Sequence, residues 1–105
     1  MAYDLSDCIQ ACAECADTCQ TCADHCRNMV GMEQCLEICD ECADTCGKCI
    51  EEMESGSNGY CGPNADVCER CAEVCEQYDM IETRECAEAC RRCAVECRKS
   101  SMALV

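Results

Sequence analysis

The chain has 105 residues, 19 of which are cysteine, and a formal net charge of -14 at pH 7. This length suits a single domain over residues 1–105. The acidic balance argues against nucleic acid and anionic membrane as partners, since both need basic surfaces. No stretch approaches the roughly 20 apolar residues of a membrane span, and the N-terminal residues lack the pattern of a signal peptide. We therefore expect a cytoplasmic protein whose thiols stay reduced.

Cysteines at alternating steps of four and three residues define the first two predicted helices. The first helix, over residues 4–29, carries Cys8, Cys12, Cys15, Cys19, Cys22 and Cys26. The second, over residues 32–54, carries Cys35, Cys39, Cys42, Cys46 and Cys49. A repeat of about 3.5 residues is the seam of a helix in a bundle, whereas a strand would repeat every second residue. Gly47, inside the second helix, costs about 1 kcal/mol against alanine; it either allows a close backbone approach or has no role.

Two further helices follow a turn of sequence SGSNG at residues 55–59. The third predicted helix covers residues 63–78 and starts after Gly62, with Pro63 in its first turn. The fourth covers residues 82–100, and Asp79 with Glu82, or Thr83, is the candidate N-terminal cap. The cysteines of these two segments are Cys61, Cys68, Cys71 and Cys75, then Cys86, Cys90, Cys93 and Cys97.

Because every connection is short, neighbouring helices should run antiparallel. The predicted fold is all-α: an up-down-up-down four-helix bundle with a cysteine-lined core. Large aliphatic side chains are few, and Phe and Trp do not occur, so only the cysteines are numerous and regular enough to fill the interior. Alanines between them favour helix and close approach, and the acidic residues form the solvated outer face.

The thiols have three possible roles. As small hydrophobes they would be a poor choice, since Leu, Ile or Val would bury more area and resist oxidation. As disulfides they are disfavoured by their odd number, by a reducing compartment and by cysteines that point in parallel from one helical face. Metal ligation remains, and thiolates select Cu(I), Zn(II) or an iron–sulfur cluster.

Cu(I) fits the pattern better than the other two metals. A Cys-x-x-x-Cys pair places two sulfurs one turn apart on one helix face, which suits a low-coordinate ion. Zn(II) needs four ligands in a tetrahedron, so several helices would have to converge at each site, and the looped ligand motif of iron–sulfur proteins is missing. Each Cu(I) ion also neutralises one buried thiolate, so about one ion per cysteine leaves the core near neutral.

The C-x3-C-x2-C pattern, repeated on four short-looped helices over nearly the whole chain, resembles the bacterial copper storage proteins. The resemblance implies a four-helix bundle whose core cysteines bind many Cu(I) ions along the axis. It also implies a member without a signal peptide and a homotetramer. One departure is Asn64, which lies at or near a seam position between Cys61 and Cys68, where a thiol is missing.

The two ends of the predicted bundle differ in composition. We call the end with His25, Met29 and Met32, where Tyr78 and Met80 also gather, the mouth. Thioether and imidazole bind Cu(I) more weakly than thiolate and could relay it inward, and the family resemblance implies His and Met at the open end. Alternatively, the methionines are flexible filler and His25 is simply exposed. The opposite end, the base, is more apolar and is predicted to be closed by Leu5, Met53, Tyr60 and Leu104.

Other classes of function fit less well. One histidine cannot build a conventional metal hydrolase site, and neither a phosphate loop nor a Ser/His/Asp set occurs, so we do not expect an enzyme. A copper chaperone would need one or two exposed thiols. The sequence therefore predicts Cu(I) storage, and the alternative is a metallothionein-like zinc or general soft-metal buffer.

Overall fold

The computed structural model describes residues 4–103, which form four α-helices. They are α1 (Ser6–Cys26), α2 (Glu33–Glu54), α3 (Cys61–Cys75) and α4 (Ile81–Ala103). Helix α1 packs against α2 and α4, and α3 packs against the same two helices. The helices therefore surround one central axis in antiparallel order, and the predicted all-α four-helix bundle is confirmed.

The helix ends differ from the predicted ranges by a few residues. Helix α1 ends at Cys26, and Met29 N donates a hydrogen bond to the Cys26 carbonyl in the turn that follows. Helix α3 begins at Cys61, because Pro63 lies within the first turn, where its missing N–H is not needed. Helix α4 continues to Ala103. Cys61 thus belongs to the helix rather than to the preceding loop.

The helix connections use local hydrogen bonds and two glycines with positive φ. Gly31 has φ 88° and Gly56 has φ 91°, backbone conformations that side chains with a Cβ rarely adopt. In the first turn of α4, Thr83 Oγ1 accepts a hydrogen bond from Met80 N, and its hydroxyl donates towards the Met80 carbonyl oxygen at 2.9 Å and the Tyr78 carbonyl oxygen at 3.3 Å. Of the predicted candidates, Thr83 is therefore the one whose side chain hydrogen-bonds to the backbone just before this helix.

The core consists of the cysteines and a few small or flexible residues. All 19 cysteines are buried and free. Alanines fill the spaces between neighbouring helices, and Met32 and Met53 extend the core towards the mouth and the base respectively. A Cβ added to Gly47 would meet nothing within 4 Å. This glycine therefore makes no close backbone approach.

The bundle is long and narrow, with principal extents of 49 × 19 × 17 Å. At the mouth the C-termini of α1 and α3 meet the N-termini of α2 and α4. At the base, Met53 is buried and Leu5 and Tyr60 pack against the core; Leu104, the fourth predicted residue of this cap, lies outside the described residues. Within residues 4–103, every helix is too short or too polar to span a bilayer.

Candidate metal centre

The cysteine sulfurs form an almost continuous network along the axis. In most cases a Sγ atom lies 3.5–4.0 Å from a sulfur on another helix, as in Cys12–Cys93 at 3.5 Å and Cys46–Cys93 at 4.0 Å. Such contacts link the other cysteines into one network, and Cys49 and Cys61 form a separate pair whose sulfurs lie 3.8 Å apart. The alternating spacing on each helix thus converts four stripes into one column of sulfur.

Groups of four thiols recur along this column, and they share members. In each group the four Sγ atoms lie within 4.8 Å of one another. Five such groups are Cys15–Cys42–Cys46–Cys68, Cys15–Cys19–Cys42–Cys90, Cys19–Cys71–Cys86–Cys90, Cys22–Cys35–Cys39–Cys75 and Cys39–Cys71–Cys75–Cys86. Because Cys15, Cys19 and Cys39 each belong to two groups, one sulfur can bridge two ions. The arrangement therefore suits a fused cluster rather than isolated sites.

The sulfur separations also permit a tetrahedral ion. With a Zn–S bond of about 2.3 Å, the sulfurs of a zinc site are about 3.8 Å apart. A zinc site needs several helices to converge on one ion, which counted against zinc in the sequence, and the structure provides that convergence at several levels. Zinc is disfavoured instead by charge, because four thiolates around one divalent ion leave excess negative charge in a buried core unless sulfurs are shared between ions.

The thiols at the two ends of the core favour the neutral form before metal binds. Burial, followed by the charge of Cys35, raises the pKa of Cys26 to about 11. Burial also raises the pKa of Cys61, and a hydrogen bond with Cys49 partly offsets that effect. These thiols are therefore protonated at neutral pH, and a metal ion that binds them must displace their protons.

Asn64 lies inside the sulfur column and is fully buried. Its Nδ2 atom donates towards four sulfurs, those of Cys12, Cys46, Cys93 and Cys97, at 3.5–3.8 Å. Its Oδ1 atom has no hydrogen-bond partner among the described residues. In the sequence, Asn64 marks a missing thiol; in the structure, its side chain takes the place of one thiol and contacts four cysteine sulfurs.

The three predicted mouth residues have different environments. Met32 is buried in the core, whereas Met29 is 38% exposed. His25 is at the surface, and its Nε2 atom lies 3.5 Å from Glu82 Oε1 at the start of α4. This contact, which joins the ends of α1 and α4, was not predicted, because nothing in the sequence fixes the rotation of one helix against another.

The fold and the sulfur column define a class: helical bundles that bind soft metal ions through core thiols. A family profile described as "Copper storage protein" matches residues 1–102. The chain belongs to the copper storage protein family, and the resemblance stated from the cysteine pattern is confirmed. Among curated proteins, no sequence relative matches the chain.

Solved structures agree with this assignment. Copper storage protein 3 of Bacillus subtilis with Cu(I) bound has a TM-score of 0.87 and 31% identity, over 92% of this chain and 97% of that chain. The apo form of the Bacillus subtilis protein has a TM-score of 0.86 and 32% identity, over 93% of this chain and 99% of that chain. A Nitrosospira multiformis protein solved by a structural genomics consortium has a TM-score of 0.85 and 38% identity, over 94% of this chain and 95% of that chain.

Proposed function

We propose that this chain stores copper in the cytoplasm by holding many Cu(I) ions along the bundle axis. The observation that carries the proposal is the sulfur column, in which Cys15 and its neighbours take part in more than one group of four thiols. Cu(I) suits shared thiolates because each ion carries one positive charge, so one ion for each bridging thiolate balances the charge. The chain's family and the Cu(I)-bound relative support the same metal.

The proposed capacity is about one ion per cysteine. Buried thiolates are costly without compensating charge, so the core tolerates deprotonation only as copper arrives. The proposed ligands are all the cysteines, namely Cys8, Cys12, Cys15, Cys19, Cys22, Cys26, Cys35, Cys39, Cys42, Cys46, Cys49, Cys61, Cys68, Cys71, Cys75, Cys86, Cys90, Cys93 and Cys97. These ligands are all shielded from solvent, which favours a storage role over catalysis.

Copper would enter and leave through the mouth. Met29 is partly exposed and Met32 is buried, so the two thioethers offer an outer and an inner weak ligand. His25 lies beside Cys26 and is held by Glu82, and we propose that its imidazole takes part in the same relay. Weak soft ligands at this end would pass ions to the stronger thiolates without trapping them.

Assembly into a homotetramer is a further part of the proposal, supported by the family resemblance. A groove between α1 and α4, lined by Ala11, Ala89 and Val95 among charged residues, offers apolar surface for such contacts. Size-exclusion chromatography with light scattering measures the assembly directly. A monomer at micromolar concentration would contradict this part alone.

Competitive metal titration tests the storage function and its alternative, a zinc or general soft-metal buffer. Reduced apo protein is titrated anaerobically with Cu(I) and, separately, with Zn(II), each against a strong chelator. We expect the chain to take well over ten Cu(I) ions from the chelator and few zinc ions. Tight binding of zinc with weak binding of copper would support the buffer instead.

A further inference from the structure

Asn64 is the one amide side chain in a core built from thiols. It occupies the seam of α3 between Cys61 and Cys68 and is fully buried. Its backbone N–H donates to the Tyr60 carbonyl at 3.0 Å in the first turn of the helix. The amide is therefore held on a rigid element and is aimed into the column, not out towards solvent.

The orientation of the amide suits a thiolate core better than a thiol core. All its short sulfur contacts are made by Nδ2, the donor end, at 3.5 Å from Cys97 and 3.6 Å from both Cys12 and Cys46. Neutral thiols could donate S–H groups to Oδ1, but this oxygen accepts no hydrogen bond within the described part of the chain. Thiolates carry no proton and only accept, so they match the donor end.

On the basis of the proposed function, we propose that Asn64 is a positioning residue for the Cu(I)-loaded core: its two amide N–H groups donate hydrogen bonds that are shared among the thiolates of Cys12, Cys46, Cys93 and Cys97. A hydrogen bond to an ionised acceptor is roughly twice as strong as one to a neutral acceptor. The amide therefore stabilises the loaded, thiolate state more than the apo, thiol state. It increases copper affinity at this level of the column without ligating an ion itself.

The test is the isosteric change Asn64→Leu, which removes the donors and keeps the shape. Anaerobic competition with a Cu(I) chelator should show a subset of ions bound about tenfold more weakly, because a charge-assisted hydrogen bond is lost only from the loaded state. The remaining ions should keep the affinity of the parent chain. The matched control is Thr45→Val, which removes a buried hydroxyl that donates only to the Cys42 carbonyl and should leave all copper affinities unchanged.

A second measurement keeps the inference testable if Asn64→Leu does not fold. In the 15N-labelled parent chain, the Asn64 side-chain N–H signals should shift downfield and exchange slowly with solvent once Cu(I) is loaded. Unshifted signals, or an Asn64→Leu variant that folds and binds every ion as tightly as the parent, would overturn the positioning role. If the parent itself held no Cu(I), the storage function would fail instead, so the two failures are distinguishable.

Discussion

The Sγ atoms of Cys15 and Cys90 lie 3.6 Å apart although the two residues are 75 positions apart in the chain. This contact joins α1 to α4 in the middle of the core, where Cys42 of α2 also lies within 3.8 Å of Cys15. Three helices thus bring thiols to one point. An ion bound there would hold the bundle together as well as occupy a site.

Removal of a shared thiol should cost more copper than removal of a peripheral one. Cys15 belongs to two groups of four thiols, whereas Cys49 contacts only Cys61 at hydrogen-bonding distance. We expect Cys15→Ala to lower the Cu(I) capacity by about two ions and Cys49→Ala by about one. Anaerobic chelator titration gives both numbers. A loss of nearly all capacity in Cys15→Ala would indicate a single cooperative cluster.

Apo and copper-loaded protein should respond differently to alkaline pH. The pKa of Cys26 is about 11 in the folded chain against 9.0 for an ordinary thiol. The neutral thiol therefore favours the folded state, and this contribution is complete below pH 9 and is lost as the pH rises towards 11. We expect reduced apo protein to be helical at neutral pH and to lose thermal stability over this range.

Copper should remove that alkaline instability. The thiolates of the loaded chain are already deprotonated and compensated by Cu(I), and an ion that binds only the folded state raises the melting temperature. Circular dichroism of both forms under anaerobic conditions makes the comparison. A random-coil spectrum of apo protein at pH 7 would show that the thiol core cannot fold without metal.

The mouth methionines should control rates more than capacity. Replacement of Met29 and Met32 by leucine keeps an apolar plug but removes both thioethers, so Cu(I) uptake and release should slow while total capacity falls little. His25→Ala should slow transfer similarly, because it removes the imidazole nitrogens that could bind Cu(I). Stopped-flow transfer from a Cu(I)–chelator complex measures the rate.

The control for the mouth variants is Met102→Leu, since this methionine is 75% exposed and lies at the other end of α4. It should transfer copper at the parental rate. If the variant that combines the His25, Met29 and Met32 changes also matched the parent, the relay would be excluded and the methionines would serve as packing alone.

Gly47 offers a stabilising substitution away from the sulfur column. A methyl group there meets nothing within 4 Å, so Gly47→Ala should raise the free energy of unfolding of apo protein by about 1 kcal/mol. Gly31→Ala is the contrasting control, because Gly31 has φ 88° and alanine would be strained. Denaturant unfolding of the reduced chains compares the two. Destabilisation by Gly47→Ala would reveal a close contact at this site in the folded protein.

The architecture was predictable because the cysteine repeat reports which face of each helix is buried. The helix ends were less predictable: Cys61 belongs to α3 because Pro63 is accommodated in its first turn, which spacing alone does not reveal. The proximity of the Cys15 and Cys90 sulfurs depends on the axial register between α1 and α4, and no single residue determines that register.

Polar groups in and around the core were the least predictable part. Asn64 was visible as an interruption of the α3 stripe, but the direction of its amide is set by the surrounding sulfurs. Likewise, the contact of His25 with Glu82 follows from the rotation of two helices about their axes. A polar residue at a seam position of a cysteine stripe is the signal that could have identified Asn64 as a functional residue.

The most direct test of copper storage in the core is anomalous diffraction at the copper edge from crystals of the Cu(I)-loaded chain. We predict a row of copper peaks inside the bundle, each between Sγ atoms of different helices, including one at Cys15, Cys42 and Cys90. Copper confined to surface carboxylates or to the mouth, with the central thiols free of metal, would contradict the account.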